Sequence, residues 1–481
     1  MKRKFLKYLF IPIFILFSVS WVQSQKVWTL VECVQYALEH NLTVKQQKIN
    51  IDYAGNTYTQ SKVAILPNLN GGASGSTSSG YSVDPFTYDY TEENVKSANF
   101  SINSSVTLFA GFQKMNTIAA NKYNLHAALA DYEKLKNDIS INVSTAYLQI
   151  LFAEEILAVA EKQLEITDLQ VKQTKKLVDA GSLAKGSLLE VQAQQASDEL
   201  QLVNAENQLN LAFLTMTQLL ELGTADDFRI ARPNLEELDE SILAQPVLSI
   251  YNEAITRLPQ VKSAEYNLLS AKKNLAVAKG SHSPRLSISG SYYTGYSNNR
   301  MKYLFTEKVV PPQLIGYTDS EVPQQVYTYE SYGFDQTEQE YSFKDQFKDN
   351  AYKSLSINLS IPIFNNLNTY YGVENSKLNV MNNELMLDQT KNLLYKEIQQ
   401  AHADAVAALK KFDASEKSLS AMEESFRYTN QKFDVGLVNI VDFNVAKSQL
   451  AQTESEQLKA KYEFLFKTSI LEFYRGKTVN L

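Results

Sequence analysis

The stretch SVTLFAGF, Ser105 to Phe112, returns as SIPIFNNL, Ser360 to Leu367, 255 residues further on. The same offset carries Asp179-Ala180-Gly181 onto Asp434-Val435-Gly436. Upstream the offset shortens to 217: Pro67-Asn68-Leu69 pairs with Pro284-Arg285-Leu286, and Val44-Lys45 with Val261-Lys262. The chain is therefore a duplication. Its second copy holds 38 extra residues, all between Pro284 and Phe364. A repeated unit with one enlarged loop points to a pseudosymmetric assembly more than to an active-site scaffold.

SVTLFAGF and SIPIFNNL each end a strand and open a helix. In repeat two, Leu355, Ile357, Leu359, Ile361 and Ile363 alternate with Ser354, Ser356, Asn358 and Ser360. In repeat one, Phe100, Ile102, Val106 and Leu108 alternate with Ser101, Asn103, Ser105 and Thr107. LNGGASGS from Leu69 and LSISGSYY from Leu286 supply the preceding strands. One face is apolar; the other is small, polar and read as uncharged. A half-buried sheet on a soluble core and a transmembrane barrel with a water-filled inside both fit this pattern.

Downstream, Val143, Ala146, Ile150, Ala153, Leu157, Ala160, Leu164, Thr167, Val171, Thr174 and Val178 recur at alternating steps of three and four. Ile398, Ala401, Ala405, Ala408, Phe412, Ser415, Leu419, Met422, Phe426, Thr429 and Phe433 do the same at the shared offset. This is a heptad seam, narrow and rich in small residues, suited to close antiparallel helices. A helix from about 112 to 178 would be about 100 Å long.

The N-terminus reads as a secretory signal: Lys2, Arg3, Lys4 and Lys7, an apolar run from Leu9 to about Val19, then Val22 and Ser24 before Gln25. With a secretion signal present, the barrel is the favoured reading of the strands. Losing those four charges takes the formal net charge from −7 to −11, which argues against nucleic acid as a partner. No second apolar stretch reads as long enough for a membrane helix, so a crossing would have to be a barrel. The single cysteine, Cys33, excludes an internal disulfide and reads as a buried thiol. His40, His126, His282 and His402 are scattered, with no metal-ligand spacing, nucleophile elbow or phosphate loop, so neither an enzyme nor a cofactor is expected. His402-Ala403-Asp404 reads as a solvated helix face.

The expected organisation is a signal peptide at 1–24, repeat one at 25–222, a connector at 223–250 and repeat two at 251–481. Repeat one should carry helices at about 30–65, 112–178 and 187–222, with strands at about 67–80 and 98–110. Repeat two should carry helices at about 251–280, 366–433 and 442–475, with strands at about 284–296 and 352–364. Between the last two strands, a tyrosine-rich, acidic loop at about 297–350 is expected on the outer side.

Four strands per chain cannot enclose a passage, because even eight leave room only for side chains. Several chains must share one barrel. The duplicated strand–loop–strand–long-helix units, LFAGF and PIFNN at the joints, and the turns VDAGSL and FDVGLVNIVDF resemble TolC-like outer-membrane efflux proteins. The resemblance covers nearly all of the chain after the signal. It implies an α+β membrane protein of a Gram-negative outer membrane: a homotrimer with a twelve-stranded β-barrel, continued by a twelve-helix α-barrel through the periplasm. It further implies a periplasmic adaptor and an inner-membrane efflux pump or ABC transporter as partners, with outer-membrane lipid around the barrel and drugs, toxic compounds or proteins as cargo.

The turns Gly181-Ser182-Leu183 and Gly436-Leu437-Val438 join long helices, where glycine caps the helix end. The resemblance makes them the adaptor-docking tip. It also matches Asp442 to an aspartate at the tunnel entrance, with Ser187 as its equivalent in repeat one. Both positions also suit simple helix capping. Where better-known members carry a second aspartate, an arginine and a tyrosine, this chain has Val445, Val438 and Phe433. An apolar seal involving Phe433 is the expectation in place of a polar latch. The competing readings are a trimeric coiled-coil surface fibre, which would not need two hairpins with polar faces, and a soluble adaptor, which would hold one helical hairpin.

Overall fold

The structure is a computed structural model and describes residues 27–83, 88–91, 94–224, 228–232 and 240–477. Repeat one runs β1 (Val27–Trp28), α1 (Leu30–His40), α2 (Leu42–Val63), β2 (Asn68–Ser78), β3 (Ser82–Val83), β4 (Tyr90–Thr91), β5 (Val95–Ala110), α3 (Gln113–Asp179) and α4 (Lys185–Leu219). After β6 (Arg229–Ile230) and a 3-10 turn at Ser241–Ala244 come α5 (Val247–Arg257), α6 (Pro259–Gly280) and β7 (Arg285–Ser297). The enlarged segment holds β8 (Met301–Val310), β9 (Leu314–Tyr317), β10 (Gln325–Tyr327), β11 (Ser331–Glu340) and α7 (Phe343–Asp349). Then β12 (Tyr352–Ser360), α8 (Asn368–Asp434) and α9 (Ile440–Tyr474) complete the chain. The signal segment and, within the expected connector, residues 225–227 and 233–239 lie outside the described residues.

These elements form two compact units. The helical unit takes in Met1–Tyr53, His126–Tyr266 and Leu385–Leu481, described from Val27. The α3 seam is inside it: Val143, Ala146, Ile150, Ala153, Ala160, Thr167 and Thr174 are buried. Two apolar clusters hold it together. One packs Cys33 and Ala37 of α1, Val143, Tyr147 and Ile150 of α3, and Met216 and Leu220 near the end of α4. The other repeats it with Ile250 and Ala254 of α5, Ile398 and Ala405 of α8, and Leu471 of α9. Part of α3 is apolar and long enough to pass for a membrane span, which the sequence reading did not allow for. Half of that window is buried, and the fully buried Val143 and Ile150 sit in the first cluster, so the apolar run is core.

The expected helices at 30–65 and 251–280 are each broken, at equivalent places. Asn41 leaves the helical path (ψ 130°), and its side-chain oxygen accepts from the Thr43 amide at 2.9 Å, starting α2. Its equivalent, Leu258, has ψ 132° because Pro259 follows.

The sheet unit takes in Ala54–Leu125 and Asn267–Glu384. Its four-stranded antiparallel sheet has the order β12-β7-β5-β2. The central β5–β7 pairing joins the two repeats, with Ser101 opposite Tyr293. β12 ends at Ser360, short of the expected 364, because Pro362 has no amide to donate. Beyond each strand, two consecutive residues adopt positive φ before the long helix: Gly111 and Phe112 (57° and 58°), and their equivalents Asn366 and Leu367 (54° and 60°). At Gly111 a Cβ would also meet the Gly280 carbonyl oxygen at 2.4 Å, so the joint needs glycine twice over.

The enlarged segment is not an irregular loop. β8 and β11 pair over their full lengths into a two-stranded ribbon, from Met301 opposite Glu340 to Val310 opposite Ser331. Alternating Tyr303, Phe305, Tyr332 and Phe334 give it the β-forming chemistry that the high tyrosine content masked.

Candidate functional site

Register sorts every side chain of the sheet onto one of two faces. Ile357 lies opposite Ile288, and Ile288 opposite Val106. Leu286, Tyr292, Phe100, Ile102, Leu355, Leu359 and Ala73 therefore share one apolar face, and Leu355 is 78% exposed. The other face carries Ser354, Ser356, Asn358, Ser289, Ser291, Asn99, Ser101, Asn103, Asn70, Ser74 and Ser76. Small polar groups there bond one another: Ser291 to Ser354 at 2.6 Å, Ser76 to Ser97 at 2.7 Å, and the Tyr293 hydroxyl donates to Asn99 at 2.5 Å. The expectation of an uncharged polar face needs correcting. Arg285 stands on it at the end nearest the long helices and donates to the Thr107 hydroxyl at 3.3 Å. Lys96 and Lys353 stand at the opposite end, on the apolar face.

Both edges of the sheet are open among the described residues, since β2 and β12 each pair on one side only. Unpaired edge amides are costly inside a bilayer, so such a sheet needs a partner on each side.

Each long helical hairpin turns through a matched cap. Gly181 (φ 77°) donates to Val178 O at 2.9 Å and Ser182 to Leu177 O at 2.8 Å. Gly436 (φ 79°) donates to Phe433 O at 3.0 Å and Leu437 to Lys432 O at 2.8 Å. These are Schellman closures, which satisfy the last helix carbonyls. Ser182, Leu183 and Leu437 are exposed and Val438 is half-buried; Leu437 leaves 77% of its surface uncovered.

The capping reading of Asp442 and Ser187 is overturned. Asn439 caps α9 by accepting from the Asp442 amide at 2.9 Å, so Asp442 is the third helical residue and its carboxylate is exposed. α4 starts after Ala184 with no side-chain cap, and Ser187 is again the third residue, half-buried. Phe433 rests on the buried ring of Phe443 (centroids 4.6 Å apart), and Phe426 packs there too at 5.4 Å. Phe433 is thus anchored within its own hairpin.

One polar cluster escaped the sequence reading. Lys447 of α9 is 2% exposed and Asp198 of α4 is 1% exposed, with their charged atoms 3.4 Å apart. The Lys447 ammonium also donates to Gln163 O at 2.7 Å and to the Thr167 hydroxyl, both on α3. Thr167 donates to Asp198, and Gln194 adds a bond to Asp198 at 2.8 Å. Burial pushes the Lys447 amine below its ordinary value, and Asp198 opposes that shift. The signal was available: α4 buries Val191, Asp198, Ala205 and Ala212 at steps of seven, so Asp198 lies on a seam. The cluster ties repeat two to repeat one. His402 likewise is not on a solvated face: it is half-buried within 3.3 Å of Leu243 O, and the neighbouring Asp404 accepts from Lys467 at 2.8 Å. Among the described residues, no group of histidine, cysteine, aspartate or glutamate could hold a metal ion.

A family model described as Outer membrane efflux protein matches residues 33–221 and 250–468. The chain belongs to the outer membrane efflux protein family. Curated relatives include Outer membrane protein TolC of Vibrio cholerae, 20% identical with 95% of this chain and 92% of that protein covered. The TolC of Escherichia coli is 21% identical, with 95% and 84% covered. Among solved structures, the CusC channel superposes with a TM-score of 0.72 at 16% identity, covering 93% of this chain and 92% of that one. The outer membrane protein VceC of Vibrio cholerae gives 0.72 at 13% identity, covering 94% and 97%. By family this chain is thus an outer-membrane efflux protein, and the two faces of its sheet are what the wall of a transmembrane barrel requires.

Proposed function

We propose that three copies of this chain form one passive conduit: a twelve-stranded barrel in the outer membrane and a twelve-helix tunnel in the periplasm. It exports cargo that an inner-membrane transporter hands over through a periplasmic adaptor. The observation that carries the reading is the four-stranded sheet with one apolar face, one polar face and two open edges. The repeat supplies the missing contacts. Moved by the repeat offsets, the β5–β7 pairing becomes β12 against β2 of the partner subunit. The α9-on-α3 packing likewise becomes α4 against α8 of the partner subunit. Phe466 of α9 packs on the first apolar cluster, whereas its equivalent on α4, Leu211, is exposed. Leu189, Leu200, Val203 and Leu214 continue that open stripe on α4. The uncovered apolar area is the interface a trimer would bury.

In this reading Gly181, Ser182, Leu183, Gly436, Leu437 and Val438 form the tip that meets the adaptor. The closed backbone of each turn leaves its side chains for docking. Asp442 and Ser187 face the periplasmic entrance, where three copies of Asp442 form an acidic ring, and Phe433 narrows the opening. A wall of small serines and asparagines offers little chemical selectivity, so in this reading choice of cargo rests with the transporter. Protein extracted from outer membranes in mild detergent should have the native mass of a trimer and conduct ions in a planar bilayer. A monomer without conductance would defeat the proposal.

A further inference from the structure

The short helix α7 covers the apolar face of the sheet at its end remote from the long-helix joints. Phe347 packs on Phe100 (centroids 5.4 Å) and Phe343 on Tyr296 (5.4 Å), while the Thr294 hydroxyl donates to Phe347 O at 2.6 Å. Phe100, Thr294 and Tyr296 lie on the side of Tyr292 and Ile288, the side a barrel turns to lipid. The helix is clamped there. Gln346 is fully buried; its side-chain oxygen accepts from the Ser297 amide at 3.0 Å, and its nitrogen donates to the Ser297 and Tyr341 carbonyls, each at 2.8 Å. Asn350 adds a bond to Gly295 O at 2.7 Å.

A helix fixed between a barrel wall and its lipid is in an unusual place. Its side chains are those of a membrane interface. Phe343 and Phe347 remain 49% and 39% exposed. Lys344 and Lys348 flank them, exposed on the neighbouring face. Lys353, the second residue of β12, opposite Tyr292, and Lys96, the second residue of β5, opposite Thr77, stand on the same side of the sheet at the same end. Four lysines thus crown the apolar band of an acidic chain. The two carboxylates of α7 are engaged within the turn: Asp345 accepts from the Ser342 hydroxyl at 2.7 Å and Asp349 from the Tyr341 hydroxyl at 2.5 Å. Interfacial rings with lysines reaching past them are the chemistry that recognises phosphate-bearing lipid headgroups.

We propose that α7, with Lys96, Lys344, Lys348 and Lys353, is a seat for the phosphate groups of anionic outer-leaflet lipid, its two phenylalanines lying at the acyl boundary. This rests on the barrel reading above. The test uses the full-length protein purified in nonionic detergent and titrated with lipid A, a diphosphorylated glycolipid. The same glycolipid without its phosphates and inorganic phosphate alone serve as controls. The wild type should bind the phosphorylated lipid in a salt-dependent way and the two controls far more weakly. The triple variant Lys344→Gln/Lys348→Gln/Lys353→Gln should bind about a hundredfold more weakly at low salt. Equal binding by the triple variant, or by the dephosphorylated lipid, would overturn the seat. Saturation by inorganic phosphate alone would overturn the lipid as its occupant. Native mass and conductance measured on the same preparations separate the two readings. A conducting trimer with unaltered lipid binding overturns only the seat, whereas a wild-type monomer overturns the channel itself.

Discussion

Replacing Lys447 by methionine should be among the most damaging single changes to the helical unit. The substitution removes an ammonium that reaches α3 and α4 at once and leaves the Asp198 carboxylate, 1% exposed, without a counter-charge. Gln194 and Thr167 still donate to it, but two neutral donors do not replace a cation in a buried seam. Breaking one side of such a pair costs about 3–5 kcal/mol. The double variant Lys447→Met/Asp198→Leu removes both charges and should return to within about 1 kcal/mol of the wild type, or exceed it. The assay is urea unfolding followed by helical ellipticity, at one fixed protein concentration because the proposed assembly would contribute to stability. The reasoning predicts a large single-variant loss and a favourable coupling of several kcal/mol in the cycle. A Lys447→Met midpoint within error of wild type would show that the pair is hydrated in the assembled protein, and would refute the argument.

Other expectations follow from single contacts. Gly181→Ala should cost about 1–2 kcal/mol, since the left-handed backbone is strained but the Cβ meets open space. Gly111→Ala should cost about 1–3 kcal/mol more in the same unfolding assay, because its Cβ lands on the Gly280 carbonyl. The Asp404 carboxyl is held below its ordinary value, chiefly by Lys467 and then by Gln400. A lowered folded-state pKa adds stability that is complete above the unfolded value, about 3.9, and lost as pH falls through the folded one. The thermal midpoint of Asp404→Asn should therefore fall below that of wild type at pH 7, and the gap should close as the pH is lowered below about 4. Phe433→Ala should raise single-channel conductance if the ring narrows the entrance, and unchanged conductance would remove Phe433 from that role.

Much of the fold was legible because the chain repeats itself. Two copies of one strand-to-helix joint, and seams whose partners keep a constant offset, constrain each other more than either would alone. The breaks at Asn41 and Leu258 were missed because apolar periodicity runs through them; the asparagine side chain and Pro259 decide locally. The ribbon of β8 and β11 was missed because it has no counterpart in repeat one. At the tips, glycine at the turn was readable from its chemistry, whereas the cap of α9 was placed three residues too late, on Asp442, where Asn439 does the work. Lys447 was passed over because lysine is seldom buried. Its four-residue step from the buried Phe443 was the available cue.

The central claim is that the chain's open edges meet each other between copies, in the register its own repeats define. Ser101 opposite Tyr293 becomes Ser356 opposite Ser76 of the partner subunit under the repeat offsets. Ser76→Cys/Ser356→Cys, in a chain whose native Cys33 is buried, should oxidise in outer membranes to a covalent trimer that reverts to monomer on reduction. Each cysteine alone should give none. Failure of the pair to cross-link, with efficient cross-linking of Ser76→Cys to itself, would contradict the head-to-tail closure on which the channel depends.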